Sequence, residues 1–314
     1  MLPWPEVALS AGRFVDPIAN FVNDVVGLNP ILGQLLVFGF LLGGIYALMA
    51  LGLSLIFGVM DVINFAHGAF LIIGTYAVWF LTTTFGVNPF LTVPVAVLIV
   101  FLLGVATHLA TVEPVMESEH STQLVVIFGV YLLLQSLVEM TFSPDPRSVD
   151  SGLGSINLGG IYFPEGQILA LAVAAVAMVV TWTFLQRTKL GRAIRGTADN
   201  VSGAESVGIN VGRINYLTFG LGCALAGLAG ATLPFFQDFT PFTANGYLIV
   251  AFVCVVLGGL GSLPGAFLGG MIIGLVEVFS GYYLPGTTNQ VIIFLVFITI
   301  LVLRPSGLLG GETA

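Results

Sequence analysis

The sequence comprises 314 residues, of which 57% are hydrophobic and 8% charged, and its formal net charge at pH 7 is -8. Soluble domains carry roughly 25% charged residues, so this composition excludes a water-soluble globular protein. Apolar runs of about 20 residues, interrupted by Gly and Pro, predict an all-α polytopic membrane helical bundle; a barrel would alternate over short segments. Cys223 and Cys254 lie in such runs and are interpreted as buried small hydrophobic residues, not as a disulfide or metal pair.

Residues 1–29 are predicted to form an N-terminal interfacial segment. They lack a basic region followed by a small-residue cleavage site, so a cleaved signal peptide is not expected. Trp4, Phe14 and Ile18 fall at helical spacing, which favours a helix lying along the membrane surface. Residues 30–310 then form the predicted transmembrane domain.

Nine apolar runs make up this domain: residues 31–59, 69–85, 90–111, 124–142, 167–185, 214–236, 247–257, 267–283 and 291–303. At about 1.5 Å per residue the first run is longer than the ~30 Å hydrocarbon core requires, so we expect it to tilt or break. Run 247–257 is short for a crossing, which favours a broken or re-entrant helix. The sequence therefore predicts eight or nine transmembrane helices.

Two interruptions of the apolar pattern resemble each other. Residues 58–68 and 258–265 are rich in Gly and polar residues. Both segments lead into the tetrapeptide Gly-Ala-Phe-Leu, at residues 68–71 and 265–268. Interrupted helices at corresponding places in two halves indicate an internal repeat with the transport path between them. The predicted translocation path comprises Asn64, His67, Gly68, Gly261, Ser262 and Gly265.

Polar side chains within the apolar pattern are costly and need a reason. Asp61, Asn64 and His67 fall within seven residues. Either they contact a substrate or ion beside the pathway, or they cap two half-helices and satisfy freed backbone groups. For Glu139 and Glu277 we expect snorkelling or a neutral, hydrogen-bonded carboxyl, with a proton relay as the alternative. Further candidates for a polar path are Gln135, Tyr46, Gln237 and Asp238.

Small residues form two stripes at four-residue spacing, Gly39-x3-Gly43-x3-Ala47 and Gly222-x3-Ala226-x3-Gly230. Such stripes let helix backbones approach closely. They predict close helix packing, either within the chain or with a partner.

A polar loop at residues 186–213 carries five of the eight Lys and Arg residues of the chain. Short basic loops stay on the cytoplasmic side, so this loop and, four crossings later, the C-terminus are predicted to be cytoplasmic. Ser202 and Glu205 have the spacing of a capping box, and Gly208 is placed to end a short helix. The small-residue surface of this helix suits a protein partner, although basic residues meeting lipid headgroups are an equally open interpretation.

The only lysine, in Thr188-Lys189-Leu190, does not belong to a G-x-x-x-x-G-K-[ST] phosphate-binding loop. If ATP drives this protein, another polypeptide hydrolyses it and docks on a cytoplasmic surface, for which the basic loop is the best candidate. We predict no catalytic and no metal-ligating residue in this chain.

Six motifs in order resemble the branched-chain amino-acid ABC transporter permeases: GIYALMALG at 44–52, INFAHG at 63–68, LGRA at 190–193, AESVGIN at 204–210, LGGLGSLPGA at 257–266 and RPSGLLG at 304–310. The INFAHG form is similar to the H-type subunit. The resemblance covers about residues 31–310; the acidic loop 113–121 departs from the family pattern, and the first 29 residues lie outside it.

The resemblance implies a transmembrane permease domain at 30–310 that imports Leu, Ile or Val across the cell membrane. It implies three kinds of protein partner: a related M-type permease, two cytoplasmic ATPase subunits that bind ATP and Mg, and an extracytoplasmic solute-binding protein. Membrane lipid is expected from the composition. No cofactor in this chain and no nucleic acid are expected. The implied ATPase-coupling residues are Ala204, Gly208, Ile209, Arg192 and Arg195. Urea or short-chain amide permeases share these motifs and remain an alternative, as does a gradient-driven secondary transporter.

Overall fold

The computed structural model describes Asp24 and residues 30–158, 160–284 and 288–310. The predicted interfacial segment 1–29 therefore lies, apart from Asp24, outside the described residues. The described residues form a helical bundle with one small hairpin.

Eleven α-helices are described: α1 Pro30–Met60, α2 His67–Phe85, α3 Pro89–Thr107, α4 His120–Thr141, α5 Glu165–Arg187, α6 Lys189–Asp199, α7 Val201–Ser206, α8 Val211–Thr232, α9 Ala244–Gly258, α10 Leu263–Tyr283 and α11 Thr288–Leu303. Seven of them (α1 to α5, α8 and α10) are long and apolar enough to cross a membrane, and α9 and α11 are shorter apolar helices. This confirms the predicted polytopic membrane bundle. The first apolar run is one continuous helix of 31 residues, without a break.

The nine apolar helices alternate in direction, so each connection lies at one of two ends. One end, here called the basic end, holds α6 and α7. It also holds the turn after α1, the start of α10 and the segment 304–310, since Leu309 N donates to the Gly258 carbonyl at 3.0 Å. The acidic loop lies there too, because a Cβ on Gly212 would be 3.7 Å from a Glu113 carboxylate oxygen.

The opposite end is the hairpin end. Strands β1 Ser155–Leu158 and β2 Ile161–Pro164 pair antiparallel within the connection from α4 to α5. The hairpin is fastened to the start of α1, where Gln34 donates to the Tyr162 carbonyl and accepts from its N–H, both at 2.7 Å. In the sequence, the Gly-Gly pair at residues 159–160 between two apolar stretches is a hairpin signal.

Helices α1 and α8 occupy the centre of the bundle. In each of these two helices, 72% of an apolar 18-residue stretch is buried inside the bundle. The corresponding share is 22% for α3, α4 and α5 at the periphery. The predicted small-residue stripe of α1 faces α10: a Cβ on Gly43 would lie 2.9 Å from the Met271 Cα. The stripe of α8 also packs within the chain, since a Cβ on Gly222 would lie 2.7 Å from the Gly52 carbonyl oxygen. Both stripes therefore serve close packing inside this chain.

Candidate functional site

The two predicted interruptions are turns between helices: the first turn joins α1 to α2, and the second turn joins α9 to α10. The two turns meet at the basic end. Helix α1 ends at Met60, Asp61 adopts φ of 52°, and α2 begins at His67. Between α9 and α10, Gly259 and Gly261 take φ of 103° and 79°, a region that favours glycine. A Cβ on Gly58 would lie 2.9 Å from the Gly261 Cα, so the chain segments are in direct backbone contact.

The polar residues of the first turn separate into two environments. The Asp61 side chain is 72% exposed and lies 3.6 Å from His120 at the start of α4. Asn64 and His67, in contrast, are fully buried. His67 Nε2 lies 3.1 Å from the Met49 carbonyl oxygen, so this ring ties the start of α2 to the middle of α1.

Asn64 faces a small cavity of about 110 Å³ between α1, the first turn and α9. The amide nitrogen lies 3.9 Å from Cys223 Sγ, and the amide oxygen has no hydrogen-bond partner among the described residues. The other walls are apolar and include Leu53, Val62, Phe252 and Val255. We call this space the amide cavity, because Asn64 is the one polar side chain in a lining of aliphatic and aromatic residues. His67, Gly68 and Gly265 do not line it.

A larger cavity of about 380 Å³ lies beside the second turn, and we call it the basic-end cavity. It is bounded by α1, α5, α6, the second turn and Leu309. Gly261 and Ser262, predicted for the translocation path, and Arg195, predicted for coupling, all line it. The structure therefore brings members of the two predicted sets to one cavity.

The basic loop forms two helices, α6 and α7, which confirms its predicted helical character. Helix α6 is capped by Thr188, whose Oγ1 accepts from Gly191 N at 2.9 Å. Helix α7 ends at Ser206, and Gly208 follows with φ of 82°. Ile209 N donates to the Ala204 carbonyl at 3.0 Å, closing the left-handed helix end that the glycine permits.

The predicted capping box is wrong. The N-cap of α7 is Asn200, whose side-chain oxygen accepts from Gly203 N at 2.8 Å. Ser202 lies inside the helix, where its carbonyl accepts from Ser206 Oγ at 2.8 Å. Helix α6 ends at Asp199, and Asn200 after it has the extended backbone conformation that an N-cap requires.

Replacing Asn200 with alanine is expected to destabilise α7 by about 1 kcal/mol, because Gly203 N loses its acceptor. Amide hydrogen exchange of residues 203–206 would measure the loss. Ser202→Ala is the matched control and should leave exchange unchanged, since its backbone carbonyl remains. Faster exchange in Ser202→Ala than in Asn200→Ala would contradict the Asn200 cap and support the capping box at Ser202.

The predicted coupling residues differ in exposure. Arg192 and Gly208 are exposed, Arg195 and Ile209 are half-buried, and Ala204 is buried. Sequence reasoning missed Val207, which is 77% exposed next to Gly208. An exposed apolar side chain in the basic loop makes this position a further candidate for contact with a partner.

A hydrophobic cluster connects the basic loop to the bundle. Its buried members are Leu51 and Leu55 of α1, Leu185 of α5, Ile194 of α6, Ile214 of α8 and Leu263 of α10. Ile209 packs against this cluster from the end of α7. Through this cluster, α6 packs against α1, α5, α8 and α10.

A polar chain inside the bundle includes residues for which the sequence offered no spacing signal. Tyr46 of α1 donates to the Glu277 carboxylate of α10 at 2.6 Å, and its ring lies 5.6 Å from that of Tyr247. Tyr247 in turn donates to Gln237 at 3.2 Å. Glu277 is therefore hydrogen-bonded, in line with the structural interpretation of this residue.

Two further polar candidates meet elsewhere. Gln135 of α4 donates to Glu139 at 3.0 Å and to the Pro241 carbonyl at 2.7 Å. Asp238 follows Gln237 in the sequence, and both residues line a polar groove at the hairpin end. No group of three or more His, Cys, Asp or Glu side chains in the described ranges is placed to hold a metal ion.

This apolar bundle, with cavities between its helices and a basic helical loop at one end, defines a multi-pass membrane transport protein. The sequence model of the family described as "Branched-chain amino acid transport system / permease component" matches residues 35–301. The chain belongs to this family.

Relatives of both permease types are found. The chain is 31% identical over 88% of its length to the high-affinity branched-chain amino acid transport system permease protein BraD of Pseudomonas aeruginosa, covering 95% of that protein. It is 31% identical over 87% of its length to the permease protein LivH of Escherichia coli, covering 93% of that protein. It is 26% identical over 84% of its length to LivM of the same organism, covering 68% of it. The higher identity to LivH supports the H-type resemblance.

Proposed function

We propose that this chain is the H-type permease subunit of an ATP-driven importer and that its cargo is Leu, Ile or Val. The observation that carries the proposal is the match to the branched-chain permease family over residues 35–301. The relatives reported above are named for branched-chain amino acids, which disfavours the urea and amide alternative. Membership of a transport-system permease family likewise disfavours a secondary transporter that works alone.

The amide cavity supports this cargo. A branched aliphatic side chain gains free energy when it leaves water for the apolar surfaces of Leu53, Val62 and Val255. The Asn64 amide oxygen is buried and has no partner among the described residues, and a turn of this side chain towards the cavity would offer it as an acceptor for the amino acid's ammonium group. Asn64 is thus the predicted path residue with the strongest structural support.

The basic end is proposed to face the cytoplasm, since its loop 186–213 carries five of the eight basic residues of the chain. The segment 304–310 lies at the same end, which supports a cytoplasmic side for this segment too. The hairpin end then faces outwards. A solute-binding protein would meet the polar groove there, which is lined by Asp150, Gln237 and Asp238 among others.

Separate ATPase subunits are proposed to bind ATP and Mg and to dock on α6 and α7. A docked ATPase that moves α6 would shift Ile194 and Ile209, which pack in the cluster shared with α1 and α10. The displaced helices lead into the two turns, which touch where Gly58 near the end of α1 meets Gly261 of the second turn. ATP binding would therefore alter access to the amide cavity without any chemistry in this chain. An M-type permease, related as LivM is to LivH, would complete the pathway.

Radiolabelled leucine uptake tests the proposal in proteoliposomes that hold this chain with its M-type, ATPase and binding-protein partners. We expect uptake that requires internal ATP, with competition by isoleucine and valine but not by urea. ATP-dependent uptake of urea but not of leucine would support the ATP-driven importer and contradict the proposed substrate. Uptake by this chain alone, unaffected by ATP, would contradict the importer assignment.

A further inference from the structure

The basic-end cavity contains polar groups that the proposed transport function does not use. The Arg195 guanidinium lines it, and its Nε donates to the Leu185 carbonyl at 3.2 Å. Its two Nη groups make no hydrogen bond or ion pair with the part of the chain that the structure describes. A guanidinium with two free donors on one side matches the geometry of a phosphate or carboxylate.

A second polar group points to a ligand independently. Ser54 of α1 is fully buried and lines the same cavity. Its hydroxyl has no hydrogen-bond partner among the described residues. A buried hydroxyl without a partner costs free energy, so a ligand oxygen in the cavity would relieve that cost.

Most of the remaining walls are apolar, and they continue onto the outside of the bundle. Leu55, Ile194 and Leu263 line the cavity. On α5, Trp182 and Gln186 also line it, and Val179 lies one turn further towards the membrane centre. Val179 is 63% exposed and Trp182 is 44% exposed, so an apolar strip leads from the cavity along the outer surface of α5.

We propose that the basic-end cavity binds one anionic phospholipid, with its phosphate at Arg195 and an acyl chain along the exposed strip of α5. The position at the basic end of a membrane helix is where phosphate headgroups lie, and the exposed cations Arg187, Lys189 and Arg192 favour an anionic lipid. A free amino acid or inorganic phosphate would use the guanidinium but not the strip. The lipid joins α1, α5 and α6, so it holds the basic loop against the bundle.

Native mass spectrometry of the purified full-length chain tests this proposal without a transport assay. The protein is incubated with phosphatidylglycerol or with phosphatidylcholine of identical acyl chains, and bound lipid is counted. The wild type is expected to retain phosphatidylglycerol preferentially, and Arg195→Gln to reduce that retention about fivefold with no change for phosphatidylcholine. Equal retention of the two lipids by the wild type would overturn the proposal.

Arg192→Gln is the matched control, because it removes the same charge from an exposed position of the same helix. It should keep the preference; a loss as large as that of Arg195→Gln would show diffuse attraction instead of a site. Arg195→Lys should recover only part of the retention, because ammonium lacks the planar fork. Displacement of the lipid by leucine or inorganic phosphate would also overturn the proposal.

Ala198→Phe keeps the test decisive if Arg195→Gln does not fold. Ala198 lines the cavity from α6 and is exposed, so a phenyl ring there fills the space without changing any charge. We expect bound phosphatidylglycerol to fall, while elution volume and thermal unfolding match those of the wild type. Unchanged lipid binding in this variant would place the lipid elsewhere.

Discussion

Gly208→Trp is expected to abolish ATP-driven leucine uptake while the protein remains folded. Gly208 has φ of 82°, and nothing lies within 4 Å of the position that a Cβ would take, so an indole ring there would project from the basic loop. It would stand beside exposed Val207, on the surface proposed for the ATPase. We expect uptake to fall more than about tenfold, which corresponds to about 1.4 kcal/mol of lost coupling. The measurement is uptake in the reconstituted complex.

Gly86→Trp is the matched control for this experiment. Gly86 also has a positive φ, 64°, and also has no neighbour within 4 Å, but it lies at the hairpin end between α2 and α3. Both variants carry the same cost of placing a side chain in the left-handed region. Uptake that survives in Gly86→Trp and fails in Gly208→Trp assigns the loss to the basic loop. Equal losses of uptake in the two variants would attribute the effect of Gly208→Trp to backbone strain and contradict a specific role of the basic loop.

Gly43→Leu is expected to have the largest effect on folding. A Cβ at Gly43 would lie 2.9 Å from the Met271 Cα and 3.0 Å from the Gly270 carbonyl oxygen, so the clash is with backbone that no rotamer change can remove. Helices α1 and α10 would have to separate along their closest contact. Overpacking of this kind costs about 3 kcal/mol. Thermal unfolding of the purified protein, with the folded yield, measures the effect.

Gly129→Leu provides the comparison. Gly129 lies within α4, and nothing stands within 4 Å of a Cβ built there. The same substitution should therefore leave stability close to that of the wild type, and leucine's better helix propensity acts in its favour. If Gly43→Leu were as stable as Gly129→Leu, the close approach of α1 and α10 would be wrong.

The sequence predicted the helices well because each is an apolar run bounded by Gly, Pro or charge. It also located both turns, since glycines with positive φ such as Gly259 and Gly261 interrupt the apolar pattern visibly. The cap of α7 was misassigned because Asn200 and Ser202 are both good caps, and only the backbone conformation selects between them.

The polar pairs and cavities could not be predicted in the same way. Tyr46 and Glu277 are 231 residues apart, and no periodicity relates them. The stripe at Gly43 predicted close packing but not its partner helix. Arg195 and Ser262 were predicted for different roles, and only the packing of α6 against α1 and the second turn shows that they line one cavity. Such pairings depend on tertiary contacts that a single sequence does not encode locally.

The hydrogen bonds of the segment 304–310 have a consequence for biosynthesis. The last carbonyls of α9 are satisfied by residues about fifty positions later, since Leu308 N donates to Leu257 and Leu309 N to Gly258. Those donors leave the ribosome about fifty residues after their acceptors. The second turn and the cavity beside it therefore stay incomplete until residues 308 and 309 have been synthesised. A ribosome-stalled chain that ends before Arg304 would still hold α11 inside the ribosome, and its basic end would be open.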